Sequence, residues 1–493
     1  MRLIATDFIT HYRPTVCDLR VFLREKGEDE AKPGPFDEVL HRLGLRHERE
    51  HLATLGAPLD LSEFPFDERI RRTSEAIADR IPLLYQPAFR VEEAFAETEV
   101  EIIGMPDFLI LDGDGYLIRD SKLSRRIDQD HHPEILLQID LYGWLFEKSC
   151  GAAPKALQVH SGTGQIVSIT YDGGISALQN IRKILTIKGL VAEPYEPVGW
   201  SKCNGCGFTD RCWARAEQNS DVALVYGIDQ SLARALNNQG VRTRKDLLAS
   251  FNDSTLSEFK RLYGKGERRV GKAAASILQF AVAMEKQQEQ VLSVPAIPPK
   301  SNFVMFDLEG MPPYMDELDK IYLWGTQVYG EHQGEFRAAL SGFGPTGDND
   351  GWLGFLANAH QIFETYGDIP FVHWAPYEQT YLSRYVDRYG DPTGTAARIK
   401  ANLLDLLAVT KSSIVLPLPS FSLKVVEDYV GFERKGIEFG GQWAMAMFIE
   451  ATETGDELER KKLMDKIVAY NQEDLEAMWA VFRWLRSKAP VPS

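Results

Sequence analysis

The chain has 493 residues, a hydrophobic share of 44% and a formal net charge of −16. At roughly 100–200 residues per domain that length suggests about three domains, with apolar material for several cores. Charges from Arg2 onward argue against a secretory leader, and no uncharged apolar run reaches the ~18 residues of a membrane span, so a cytoplasmic protein without membrane partners is expected. The acidity argues against a broadly phosphate-binding surface. It is compatible with carboxylate-built metal sites, where a bound cation reverses the local field.

The first 215 residues open with helical patterns, one of them carrying His47 in Gly44-Leu45-Arg46-His47-Glu48. A strand pattern then runs from Thr98 to Leu111, with Asp107 at its middle. Asp112-Gly113-Asp114-Gly115 predicts a hairpin turn, and Tyr116 to Lys122 a second strand. On a strand, i and i+2 share a face, so Asp120 and Lys122 point the same way and Asp107 can face them. Paired carboxylates repel and favour a divalent cation, and oxygen ligands suit Mg²⁺ or Mn²⁺. Pro133 to Lys148 predicts a helix that places Gln138 and Tyr142 on one face.

Singly these residues mean little: a lone Asp-x-Lys is usually a surface turn. Their order is the signal: His, Gly-x-x-Asp, Asp-x-Lys after a hairpin, Gln-x3-Tyr on a helix. It resembles the RecB-type branch of the PD-(D/E)xK nucleases. That resemblance implies a restriction-endonuclease-like domain over 1–215, with His47, Asp107 and Asp120 as metal ligands. Lys122, Gln138 and Tyr142 would act beside them. Asp120 stands where many relatives have Glu.

Cys203, Cys206 and Cys212 form C-x2-C-x5-C, and Cys17 lies far upstream. Cytoplasmic cysteines in such a set read as metal binding. A compact zinc ribbon would have two local pairs. One remote cysteine plus a C-terminal trio is similar to the iron–sulfur staple of RecB-like nucleases such as AddB, which implies a [4Fe–4S] cluster on these four residues. Zn²⁺ is the alternative, and Cys150 reads as a core residue.

Residues 216–290 read as a small helical hairpin segment. Two apolar helical patterns lie in Asp221 to Leu248, with turns at Gly227-Ile228-Asp229 and Gly240-Val241. They resemble a helix-hairpin-helix, whose backbone N–H groups approach phosphates; plain packing between domains is the other reading. Arg242 to Lys272 holds nine Lys/Arg against four Asp/Glu. Gly266 to Ala273 imitates a phosphate-binding loop but lacks its Ser/Thr, and no strand is predicted before it. Gly271 is read as a turn before a helix over Ala273 to Gln287. A Pro-rich linker is expected over 291–301.

Residues 302–493 open with an apolar strand whose Asp307 and Glu309 share a face. Carboxylates there are costly without a cation. Phe371-Val-His373 begins another strand, followed by Glu378. Tyr470 and Asp474 share a face of a final helix expected over Lys461 to Leu485. Four such acids suit two divalent ions, with Tyr470 orienting water. The series D-x-E, then His with Glu378, then Y-x3-D resembles the DEDDy exonucleases of the DnaQ, RNase H-like group. The resemblance implies an RNase H-like α/β domain with Asp307, Glu309, Glu378, Tyr470 and Asp474 at its site. Position 378 is Glu where that group mostly has Asp, and Asp405 competes for the role.

The whole predicts an α/β multidomain nuclease acting on nucleic acid, DNA before RNA. A non-catalytic nucleic-acid scaffold, or activity confined to the RNase H-like domain, are the alternatives.

Overall fold

The computed structural model describes residues 1–95, 97–264, 266–311, 319–343, 347–435 and 440–488. The final residues of the expected third domain, 489–493, lie outside the described residues. The chain forms two compact units. One comprises Met1–Pro33, Asp37–Glu196 and Ser201–Cys212; the other comprises Gly34–Phe36, Pro197–Trp200 and Trp213–Ser493. No helix among the described residues is long and apolar enough to cross a membrane.

The first unit has two sheets. Six strands run in the order Leu59–Asp60, Leu83–Tyr85, Phe108–Asp112, Gly115–Ser121, Ala156–His160 and Ile166–Ile169. Three more run Arg2–Ile4, Thr98–Gly104, Phe89–Phe95. The helix Pro133–Cys150 is apolar on nearly every side and packs on strands of both sheets. Burial on so many faces makes it the core element. Its start uses Pro133 at the first turn, where no N–H is needed, and Gly151 ends it in a left-handed conformation. Cys150, expected in the core, is exposed, because that ending leaves the last turn outside the packing.

The expected hairpin forms, with Asp112 opposite Gly115 and a two-residue turn between them. The strand expected from Thr98 to Leu111 does not run through. It breaks after Gly104 and resumes at Phe108 in the other sheet, so Asp107 lies in a crossover and not at a strand centre. Pro106 lacks the N–H that a continuing ladder would use.

The second unit centres on a five-stranded sheet ordered Arg337–Leu340, Ile321–Gly330, Asn302–Gly310, Phe371–His373, Leu403–Asp405. Side chains alternate along Asn302–Gly310. Val304, Phe306 and Leu308 join the core built with Trp352 and Phe355 of the helix Asp348–Tyr366. Phe303 meets Phe482 of the long helix Glu457–Ser487 on the opposite face. That alternation sends Asp307 and Glu309 toward the helix carrying Tyr470 and Asp474.

The helical segment is capped as its sequence suggests. Asp229 caps Gln230–Asn238, and Thr243 and Asp246 form a capping box on Arg244–Ser250. Tyr226, Phe280 and Phe421 meet with ring centroids 4.8–5.6 Å apart, joining this segment to the later part of the same unit. A strand does precede the stretch that imitates a phosphate loop: Lys260–Tyr263 pairs with Gly266–Arg269. The glycine-containing stretch is therefore a ladder strand, with no cradle to offer. The expected linker begins in a strand, where Val291 pairs with Ile414.

Gly162 packs against the chain just beyond Lys122. A Cβ there would stand 2.0 Å from the Leu123 carbonyl oxygen, and the Gly162 N–H donates to the Ser124 carbonyl. Gly162→Ala should destabilise the protein by about 1–3 kcal/mol. Denaturant unfolding with an unchanged midpoint would show that this junction yields without cost.

Candidate active sites

In the first unit the crossover and the hairpin bring Asp107, Asp120 and Lys122 together. The Asp107 N–H donates to Asp120 Oδ1 (3.2 Å), and Asp107 Oδ2 accepts from the Ser121 N–H (2.7 Å). Lys122 Nζ lies 2.6 Å from Asp120 Oδ2. Burial, then the neighbouring Asp120, push the Asp107 carboxyl well above the usual range. Burial works against a charged Lys122, but Asp120 and Asp107 outweigh it and raise its pKa, keeping the ammonium protonated.

Two further residues belong here that sequence reasoning missed. Gln86 Nε2 donates to Asp107 Oδ1 (3.1 Å) and to Glu48 Oε1 (2.7 Å), and Glu48 is buried. Glu48 directly follows His47, and that adjacency was its only signal. His47 stacks on His160 at 4.3 Å, and His51, one turn along the helix Pro35–Leu55, stacks on His160 at 3.8 Å. His47 Nε2 is buried and meets no hydrogen-bond partner among the described residues. Gln138 Nε2 donates to the Tyr142 hydroxyl (2.7 Å), both side chains being buried. Burial first, then Asp120 and Asp107, raise the Tyr142 pKa, which sets the ring beside the acids.

The cysteine set also converges. Cys17 precedes the helix Asp18–Glu25. The Cys206 N–H donates to the Cys203 carbonyl (3.0 Å), and the Thr209 hydroxyl reaches both of those carbonyls. Cys212 lies on the helix Thr209–Gln218. Burial, Glu196, Cys206 and Cys212 push the Cys17 thiol up to about 12, so the remote cysteine stands near two of the trio.

In the second unit, ligand oxygens of Asp307, Glu309 and Asp474 lie within 4.8 Å of one another, the only such three-ligand set among the described residues. Burial and then Asp474 raise the pKa values of Asp307 and Glu309 well above the carboxylate range. Asn471 Nδ2 donates to Asp307 Oδ2 (2.7 Å). The strand register explains how it reaches: Asp307 sits opposite Gly325, and a Cβ on Gly325 would stand 1.8 Å from Asn471 Oδ1. Arg434 grips Glu427 through two nitrogens (2.6 and 2.9 Å) and also donates to Asp474. Neither Asn471 nor Arg434 carries a motif; both act through tertiary placement.

Glu378 lies outside that trio. It occupies the start of the helix Tyr377–Tyr389 and faces His373 Nδ1 at 3.4 Å, yet it still contributes to raising the Asp307 pKa. Asp405, the competing acid, caps the helix Leu406–Ser413 by accepting from the Ala408 N–H. Tyr470 is buried, and burial with Asp474 and Glu309 raises its pKa, so its hydroxyl keeps its proton.

Residues 20–213 match the PDDEXK_1 model of the PD-(D/E)XK nuclease superfamily, and residues 304–486 match the RNase_H_2 model of the RNase_H superfamily. No curated protein matches the chain. A solved structure described as "Crystal structure of SSO0001" is 16% identical over 36% of this chain and 97% of its own, with a TM-score of 0.21, too slight a likeness to carry an argument.

The histidine stack carries a pH signature. Burial, aided by neighbouring cationic and imidazole groups, lowers His51 and His160 from 6.5 to about 4. The folded state holds both neutral while the unfolded chain takes up protons. Their contribution is present above about pH 6.5 and is lost as the pH falls toward 4. His160→Phe should therefore flatten the drop in melting temperature across that window; an unaltered slope would mean the rings are already charged in the fold.

Proposed function

We propose, for a chain that carries a PD-(D/E)XK domain and an RNase H-like domain, that both hydrolyse phosphodiester bonds of nucleic acid with divalent cations. The observation carrying this reading is the convergence of Asp307, Glu309 and Asp474, the last two buried. Three acids so placed repel one another unless protonated or matched by a cation. Their all-oxygen donor set suits Mg²⁺ or Mn²⁺. When bound, such a cation supplies charge to offset the scissile phosphate.

In the RNase H-like domain, Asp307, Glu309 and Asp474 would hold the cation, with Glu378 completing the acid set from beside His373. Asn471 orients Asp307, and the protonated Tyr470 donates a hydrogen bond that positions the attacking water. In the PD-(D/E)XK domain, Asp107 and Asp120 would be the ligands, and His47, whose Nε2 is open, would be the further one that the motif order implies. Lys122 offsets phosphate charge. Gln138 fixes the Tyr142 hydroxyl. In both, a water oxygen bonds to phosphorus as the bridging P–O bond breaks, and the leaving oxygen departs with a proton.

The finer reading is a DNA exonuclease. DNA is favoured by the RecB-like pairing, and exonuclease action by the ordered D-x-E and Y-x3-D acids. The helical segment would act as a helix-hairpin-helix on backbone phosphates. Its exposed ribbon adds Arg268 and Arg269, with Tyr263 against Arg268 at the tip. Cys17, Cys203, Cys206 and Cys212 would hold a [4Fe–4S] cluster. One remote cysteine joined to a C-terminal trio is the pattern that favours the cluster over a single zinc.

Two measurements test this. With Mn²⁺, Lys122→Ala should remove one cleavage activity and Asp307→Ala another, each by at least about a hundredfold. Cleavage unaltered by either substitution would overturn the site assignments. Anaerobically purified protein should be brown, absorbing near 400 nm, and Cys203→Ser should bleach it. A colourless protein with stoichiometric zinc would replace the cluster with Zn²⁺.

A further inference from the structure

The PD-(D/E)XK domain holds a cleft of about 720 Å³ that shares Gln138 and Tyr142 with its candidate site. That volume falls within the roughly 300–1,000 Å³ of small-ligand sites. Gly104 and Met105, just before Asp107, form part of its wall, and Gln138 and Tyr142 form another part. Tyr142, which also lies near Asp120, therefore joins the cleft to the candidate site.

Its lining is charged against the trend of the chain. Arg2, Arg24, Arg69 and Lys188 face two carboxylates, Asp7 and Glu25. Lys188 pairs with both of those acids, at 2.9 and 3.3 Å. Arg2 pairs with Glu101 (3.4 Å), whereas Arg24 meets the Thr10 hydroxyl, and Arg69 meets the Ser62 and Phe64 carbonyls and Met105 Sδ (3.6 Å), so these last two do not spend their charge on the cleft's acids. In a protein of net charge −16, this is ground prepared for an anion.

Two lining residues also carry unspent hydrogen-bonding atoms. Gln138 is 7% exposed and has given an N–H to Tyr142, yet its Oε1 has no partner among the described residues. The same holds for the buried Nε of Arg69. Buried polar atoms without partners are rare and costly. Gln138 thus has an acceptor and Arg69 a donor left over, the two kinds of atom that a nucleobase edge pairs with. Phe66, half-buried, and Met105, 42% exposed, supply apolar surface for its face.

We infer that this cleft is a subsite for one nucleotide next to the bond being cut, taking its base out of the stack and its phosphate against the arginines. The inference rests on reading Asp107, Asp120 and Lys122 as a cleavage site. The Gln138–Tyr142 pair then links the two places: the tyrosine lies by the acids while the glutamine reads the base.

The test uses the full chain carrying Asp307→Ala, so that cleavage belongs to the PD-(D/E)XK domain. Single-stranded oligonucleotides carry one abasic position, moved stepwise along the strand. At one register, loss of the base should raise KM about tenfold. Met105→Trp, which fills the cleft from its exposed rim, should erase that dependence, and Phe66→Ala should weaken it. Lys122-dependent cleavage indifferent to every abasic register would overturn the subsite and leave the nuclease reading standing. Fluorescence anisotropy of the same strands with Ca²⁺ reads the subsite even where nothing is cut. An abasic step in Kd that Met105→Trp removes supports it, and a flat Kd overturns it. Absence of any Lys122-dependent cleavage would sink the proposed function separately.

Discussion

Carboxylates packed against one another in water-poor surroundings are the constraint that both units answer to. A desolvated acid crowded by another acid gives up its charge or destabilises the fold. Asp107 beside Asp120, and Asp307 beside Glu309 and Asp474, are each crowded in that way. The neighbours are arranged to make it bearable: Lys122 on Asp120, Arg434 on Asp474, the Asn471 amide on Asp307. None of these relieves the repulsion completely, since the pKa values of Asp107, Asp307 and Glu309 remain raised. The remaining imbalance is what a divalent cation would take up.

The folds deliver the acids by different routes. In the RNase H-like domain, strand alternation does the work. One face of Asn302–Gly310 joins the aromatic core while the other presents Asp307 and Glu309 to a helix. In the PD-(D/E)XK domain, a break does it. The chain leaves one sheet at Gly104 and enters the other at Phe108, and Asp107 hangs between them where its carboxylate can accept the Ser121 N–H.

Much of this was legible in the residues. Asp-x-Glu within an apolar run declares two acids on one strand face, and Tyr-x3-Asp declares one helix face, because both periodicities are local. The hairpin at Gly113-Asp114 and the helix at Pro133 carried their own turn and cap chemistry. The crossover at Asp107 was signalled by Pro106 and passed over. Gln86, Asn471 and Arg434 were not legible, since each reaches an acid tens of positions away or more, and Glu48 had only its place beside His47. Cys150 was misplaced because its type suggests a core while Gly151 decides where the helix stops. Glu378 shows the limit of motif order: its place in the series was plain, but its pairing with His373 depends on packing.

The missing side chain at position 325 has a consequence for how this domain can change over time. Asn471 occupies the room that any larger residue there would need. The two positions are thus sterically coupled. A lineage that enlarges one must shrink or redirect the other, and would surrender the clamp on Asp307 as it did so. Relaxation at both places together would leave a paired change in the sequence more telling than the loss of any single acid.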